Sequence, residues 1–377
     1  MPRVAFLTNM IPPYHKPVLD LLSTRFDAMR VLLSTPMESN RPWKLEWEGL
    51  DVVVQKTITL NGRWRHPKGF NEPLAVHLPI DTIQQLKRFG AEVVISGEMG
   101  TRTLLALLYR KLRRHSKLIV WAEVAESTEQ GRGRARQILR RVLRGNVDAF
   151  LVTGESGARY LRGLGVNDQK LFKLSYTTAL ERFTADPLTR DHQQAKRLLY
   201  VGQLIERKGL APFIKVLSEW AEANADCTVD FVLAGDGPLR GKLEQSRVPP
   251  NVTLTFLGNL AYEDLPKIYS QAGIFVLPTL ADTWAVVVNE AMAAGLPVLG
   301  SVYSQAVTEM VRDGQNGWLF RADDDKEMYD ALDRSLKTPL EKLGRMRESA
   351  RSTAMRLTPE YVAGLIEAAV TACWNHR

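Results

Sequence analysis

Residues 278–301 read PTLADTWAVVVNEAMAAGLPVLGS. With the apolar run GIFVLP just before it, the stretch has the pattern strand, loop, helix, turn, strand. Leu280, Ala281 and Asp282 make the loop. The spacing predicts a helix from about Trp284 to Ala294, stopped by Gly295 with Pro297 just beyond. Asp282 therefore sits at the mouth of a helix and Glu290 near its far end. The free N–H groups at the helix start favour an anion such as a diphosphate. Eight helical residues would span roughly 12 Å. A glycosidase needs its paired carboxylates only about 5 to 9.5 Å apart. The longer span suits the two ends of one elongated, phosphate-bearing ligand.

The same rhythm extends in both directions. RVAFLT, MRVLLS, VVVQK, EVVIS, KLIVWAE, DAFLVTG and LFKLSY are strand candidates in the first half. Helical patterns lie between them near 77–89, 99–115, 132–144 and 156–164. RLLYVG, VDFVLAG, LTFLG, GIFVLP, PVLGS and GWLF repeat the pattern in the second half. Such alternation predicts an α/β chain of parallel sheets with helices on both faces. Length fits two doubly wound domains facing a cleft, 1–185 and 186–357, with a polar linker near 178–195. A last helix opens at Thr358-Pro359.

Composition narrows the class. Hydrophobic residues make up 45% and charged residues 24%, as in soluble globular chains. Two distant cysteines, Cys227 and Cys373, form no disulfide framework and point to a reducing compartment. The N-terminus lacks a signal-peptide pattern, and no apolar run nears membrane-spanning length. A cytoplasmic location is the expectation. Charge is uneven: residues 1–185 hold 29 Lys/Arg against 17 Asp/Glu, whereas 186–377 hold 21 against 25. The basic surplus predicts an anionic partner surface for the first half.

Cations and glycines sit where open α/β sheets bind ligands, at strand carboxyl ends. In YVGQLIERKG, Arg207 and Lys208 follow a strand and suit phosphates. In LAGDGPLRG, Gly235 and Gly237 permit a tight turn or a close ligand approach. Asp323-Asp324-Asp325 imitates a metal-holding D-x-D, but its place before KEMYDALDRSL predicts a helix N-cap. TGESG lacks the spacing of a nucleophile elbow. The six histidines form no close pair, so no metal site is expected.

Taken together, VGQLIERKG, LAGDGPLR, LTFLGNLAYEDLPKIYSQAGIFVLPT, ADTWAVVVNEAMAAGLPV and DGQNGWLF resemble the family 4 glycosyltransferases of the GT-B fold. The order and spacing match across roughly 197–320. The resemblance implies a retaining, metal-independent transfer from a nucleotide-sugar donor to a glycan or lipid-linked glycan acceptor, with no cofactor. It also implies that the C-terminal helix, 358–377, returns to the N-terminal, acceptor-binding domain. Glu290 matches the acid that holds the ribose, and Asp282 the acid that faces the donor sugar. Lys208 matches the diphosphate-binding lysine, with Arg207 as a second cation. Thr283, Trp284, Ala285 and Val286 match the residues whose N–H groups meet sugar and phosphate. Asn259 and Leu260 fall near the base, and Gln203 and Gly235 line the donor. Departures are Asp282 for glutamate, Trp284-Ala285 for Phe-Gly, Gln203 for arginine, and NMIPPYHKP for a glycine-rich loop. The shortened Asp282 bears on sugar specificity.

In the first half, Asn9, Pro13, Tyr14 and His15 follow the first strand, and Glu98 and Glu123 follow later ones. Asn9, Tyr14, His15, Glu98 and Glu123 are the acceptor-side candidates. In GRGRARQILRRVLRG, Ala135, Ile138, Leu139, Val142 and Leu143 form one apolar stripe expected to pack on the sheet. Arg132, Arg134, Arg136, Arg140, Arg141 and Arg144 then cover the outer face. Of these, Arg132, Arg136, Arg140 and Arg144 are expected to touch an anionic membrane surface at the inner face of the cytoplasmic membrane. No nucleic-acid motif accompanies them, so nucleic acid is not an expected partner. Two other readings stay open: a nucleotide-sugar epimerase of the same fold, and a catalytically silent partner in a sugar-assembly complex.

Overall fold

The computed structural model describes residues 1–38, 43, 45, 47–184 and 187–375, without the side chains of 134 and 135. Arg134 and Ala135 of the basic segment therefore lie outside the described side chains, as do the residues on either side of the 185/186 boundary. Two compact units result. One joins Met1–Thr178 with the C-terminal helix Pro359–Asn375, and the other is Ala179–Thr358. Arg25 and Glu367 pair at 3.0 Å where that helix returns to the first unit.

The first unit is built on seven parallel strands. In chain order these are β1 (Arg3–Thr8), β2 (Ala28–Leu33), β3 (Val52–Val54), β6 (Val93–Gly97), β7 (Lys117–Ala122), β8 (Ala149–Thr153) and β9 (Leu171–Leu174). A separate antiparallel hairpin, β4 (Thr57–Arg65) and β5 (Asn71–Pro79), lies between β3 and β6 in sequence. The sheet order is β3-β2-β1-β6-β7-β8-β9. Its central strands are buried throughout because helices cover both faces. The chain runs outward in both directions from β1 and β6. Their carboxyl ends therefore flank a switch point, where such sheets form crevices.

The second unit repeats the plan with β10 (Leu198–Val201), β11 (Val229–Ala234), β12 (Val252–Gly258), β13 (Ile274–Leu277), β14 (Val298–Ser301) and β15 (Gly317–Phe320). The order β12-β11-β10-β13-β14-β15 puts its switch point between β10 and β13. Glycine permits a close approach at the neighbouring ends of β10 and β11. Gly235, at φ 138°, lies where a Cβ would come within 1.9 Å of the Gly202 carbonyl oxygen. Backbone crowding thus accounts for this glycine.

Two expected elements are corrected. The helix expected over 77–89 starts only at Thr82, because Asn71–Pro79 is the second strand of the hairpin. Leu74, Val76 and Leu78 alternate on one face opposite Gly62, Leu60 and Ile58, the period of a strand. The helix expected from Trp284 is Val287–Ala293. Ala285 stands at φ 70° and cannot be part of a right-handed helix. Gly295, at φ 80°, does close it. Asp324 caps the Asp325–Lys337 helix through the N–H groups of Lys326 and Glu327.

Candidate functional site

The loops after β10 and β13 are clasped together. The Arg207 carbonyl accepts from the Leu280 N–H at 2.8 Å and from the Thr279 hydroxyl at 3.1 Å. Gly209 follows at φ 67°, so close to Pro278 that a Cβ would lie 2.0 Å from its carbonyl oxygen. This geometry aims Lys208 at Asp282. The Lys208 ammonium donates to the Asp282 carboxylate at 2.5 Å, and the Arg207 guanidinium lies 3.4 Å from the same oxygen. Arg207 also donates to the Ala281 carbonyl at 2.9 Å. Burial alone would raise the Asp282 carboxyl. The charges of Lys208 and Arg207, with hydrogen bonds from Lys208 and the Trp284 N–H, outweigh it and hold Asp282 below its ordinary value.

Glu290 has a different environment. It is 3% exposed on the Val287–Ala293 helix and, among the described residues, has no cation as a hydrogen-bond partner. The Tyr269 hydroxyl donates to it at 2.9 Å, and the Tyr262 hydroxyl also hydrogen-bonds to it. Burial dominates and pushes its carboxyl up to about 7. Phe183 wedges between the two tyrosines, with ring centroids 6.0 Å from Tyr262 and 5.5 Å from Tyr269. Both tyrosines lie in YEDLPKIY, and no sequence reading singled them out. Their signal was a pair of aromatics on the segment between β12 and β13, beside the loop holding Asn259 and Leu260.

The 283–286 segment is a loop held from behind, not the first turn of a helix. The Trp284 side chain is buried and donates to Asn289 at 2.8 Å. The Trp284 carbonyl accepts from the Ser304 hydroxyl at 2.7 Å, and the Thr283 carbonyl from the Gln305 amide at 2.8 Å. The Trp284 N–H is directed at Asp282, and Val286 leads into the Val287–Ala293 helix. Ala285 occupies a left-handed conformation that costs a residue with a Cβ about 1 to 2 kcal/mol. Ala285→Gly is expected to stabilise the protein by about 0.5 to 1 kcal/mol, the strain relieved less the extra freedom of the unfolded chain. A lower thermal midpoint in that variant would show that the loop does not need the left-handed turn. Gln203 follows β10 and its carbonyl accepts from the buried Tyr200 hydroxyl at 2.8 Å.

In the first unit, the β1/β6 switch point brings Asn9 and Glu98 together. The Asn9 amide donates to Glu98 at 3.1 Å and to Glu38 at 3.4 Å. Buried Arg102 donates to the Asn9 amide oxygen and to the Gly97 carbonyl. Glu98 itself is held at φ 68°. Glu123 is exposed at the end of β7, with a hydrogen bond to Tyr176. His15 is no loop histidine in water. It is 9% exposed among Trp121, Tyr176 and Tyr14, with centroids 5.3, 5.2 and 4.8 Å away. Burial lowers it to about 4, so it is neutral at physiological pH.

The basic helix needs correction. Arg140 is buried, and its guanidinium is taken by Glu129 and the Tyr160 hydroxyl. Arg136 pairs with the same Glu129 at 3.3 Å. Arg132 lies 3.6 Å over the Trp64 ring, and Arg144 donates to the Leu164 carbonyl. The expected apolar stripe does not pack as one face. Leu143 is buried, whereas Ile138 and Val142 are 59% and 48% exposed. The helix is rotated because Glu129, nearly buried, requires its cation inside. Among the described residues, no group of three His, Cys, Asp or Glu side chains is placed to hold a metal ion.

Residues 195–338, which carry Lys208, Asp282 and Glu290, match the family model described as glycosyl transferases group 1. The similarity to this family is confined to that segment. The alpha-D-kanosaminyltransferase of Streptomyces kanamyceticus is 29% identical over 194 residues, 48% of this chain and 49% of that protein. The chain spans about half the length of the curated relatives it matches. Among solved structures, Anabaena HepE in complex with UDP and glucose superposes with a TM-score of 0.73 at 15% identity, covering 99% of this chain and all of that one. The lipopolysaccharide outer core galactosyltransferase WaaB gives 0.72 at 13% identity, covering 98% and 99%. The fold is therefore GT-B.

Proposed function

We propose that this chain transfers a sugar from a nucleoside-diphosphate sugar to a hydroxyl of a glycan or lipid-linked glycan, with retention and without a metal ion. One observation carries the reading. A buried carboxyl, Glu290, and a cation pair, Lys208 and Arg207, stand on loops and a helix of the same segment that matches the family model. A carboxylate accepts from the two hydroxyls of a ribose, and two cations neutralise a diphosphate. In the reaction, the bond between the anomeric carbon and the diphosphate oxygen breaks. A bond to the acceptor oxygen forms on the same face, and the acceptor proton passes to the leaving phosphate. Lys208 and Arg207 stabilise that departing charge, and Asp282 orients the donor sugar. The complex of HepE with UDP makes UDP the first nucleotide to try, and the name of WaaB supports a lipid-linked acceptor.

Thermal shift with UDP, GDP, CDP and dTDP and their common sugars, with chelator, tests the reading. A ligand at a hundredfold its dissociation constant adds about 2.7 kcal/mol. One nucleotide series is expected to raise the midpoint of the wild type and not of Glu290→Ala. If no nucleotide stabilises well-folded protein, the donor site as assigned does not exist.

A further inference from the structure

The helices Thr101–Leu112 and Arg134–Asn146 connect β6 to β7 and β7 to β8, three neighbouring parallel strands. Right-handed crossovers in the same direction place both helices side by side on one face of the sheet. Arg110 links them, donating to the Asn146 carbonyl at 3.4 Å and pairing with Asp148 at 2.8 Å. On the first helix, Leu104, Leu108 and Leu112 are 38%, 46% and 60% exposed, one turn apart each. On the second, Ile138 and Val142 are also exposed and one turn apart. Five large apolar side chains thus stand outward on adjacent helices. Segments 101–115 and 131–147 contain no Asp or Glu at all. Lys111, Arg113, Arg114 and Arg141 are exposed around them.

We propose that this face docks on an anionic bilayer, the five apolar side chains entering the headgroup boundary while the surrounding cations meet lipid phosphates. Apolar ridges ringed by cations and free of acids match such a surface in both terms of its chemistry. A second copy of the chain fits poorly, because a two-fold contact would set cations against cations. The contact differs from an arginine-only one, since Arg132, Arg136 and Arg140 are engaged within the protein. No helix among the described residues is long and apolar enough to cross a membrane, so the attachment is lateral. The inference stands apart from the donor site, and its failure leaves the sugar-transfer reading untouched.

Flotation of the full chain with vesicles of phosphatidylcholine, with and without phosphatidylglycerol, tests it. The wild type is expected to float with the anionic vesicles only. Leu108→Glu/Ile138→Glu and, separately, Lys111→Glu/Arg141→Glu should each cut the bound fraction by about tenfold or more. Leu257→Glu, an exposed leucine of the second unit, is the control and should bind as wild type. Unchanged thermal midpoints show that the variants fold. Wild type that ignores anionic vesicles, or apolar-ridge variants that still float, overturn the proposal. It also fails if the wild type self-associates, or pulls down an acidic protein, through these residues without binding vesicles.

Discussion

Replacing Glu290 by glutamine is expected to weaken nucleotide binding and, at the same time, stabilise the free protein above about pH 7. The carboxyl is buried and raised from 4.5 to about 7. A raised carboxyl contributes its full stability only below its unfolded value, where it is neutral in both states. That contribution is lost as pH climbs through the window from 4.5 to about 7. Above it the folded protein carries a buried charge costing about 3 kcal/mol at most. Glutamine keeps the shape and has no charge to lose. The stability gain should therefore be near zero at about pH 4 and reach about 3 kcal/mol at about pH 8.

Binding runs the other way. A ribose is gripped by the charged form, so wild-type affinity should fall below about pH 7, by up to about tenfold per unit. In Glu290→Gln it should be flat and weaker, by about 1.5 to 3 kcal/mol for a lost charged hydrogen bond. Melting curves and titration calorimetry across this pH range read both effects. A variant that binds nucleotide as the wild type does would remove Glu290 from the site, and one that gains no stability at high pH would show that burial does not raise its carboxyl.

Lys208→Met is the second large effect. Its ammonium is 2.5 Å from Asp282, and the two side chains are 13% and 12% exposed. Losing one cation from the diphosphate cradle is expected to lower turnover by about 10² to 10³. It also leaves Asp282 with Arg207 and the Trp284 N–H, at a cost of about 3 kcal/mol, the low end for a broken buried pair. Asp282 is depressed in the wild type, so it adds stability above its unfolded 3.8 that is lost as pH falls through its folded value. The deficit of Lys208→Met should accordingly be greatest at neutral pH and shrink in acid. Adding Asp282→Asn should restore stability without restoring turnover. If the double variant stays as unstable as the single one, packing and not charge explains the loss.

How far the sequence reaches is visible element by element. GIFVLP, DAFLVTG and KLIVWAE read as strands because both their faces are covered, which leaves no polar period to confuse them. The hairpin Thr57–Pro79 was missed. Its alternation is interrupted by Asn61-Gly62 and Pro73, and its apolar side faces solvent in part. The late start of the Val287–Ala293 helix was hidden because alanine at 285 gives no sign of a left-handed turn. Asp282, Lys208 and Glu290 were legible as candidates from spacing and resemblance. Tyr262 and Tyr269 were not, since neither is next to Glu290 in sequence.

By itself the sequence determined what local physics controls: the alternation of strands and helices, the parallel sheets it enforces, the caps at Asp324 and Gly295, and the uneven charge. Only the tertiary structure decided which groups meet. Lys208 reaches Asp282 across 74 residues because β10 and β13 are neighbours at the switch point. Arg140 turns inward and Ile138 outward because a buried Glu129 outbids a helical periodicity that cannot see it. Two carboxyls eight residues apart are driven in opposite directions, Asp282 down and Glu290 up. Their charge states follow from which partners the folded chain brings within hydrogen-bond reach, which no local pattern encodes.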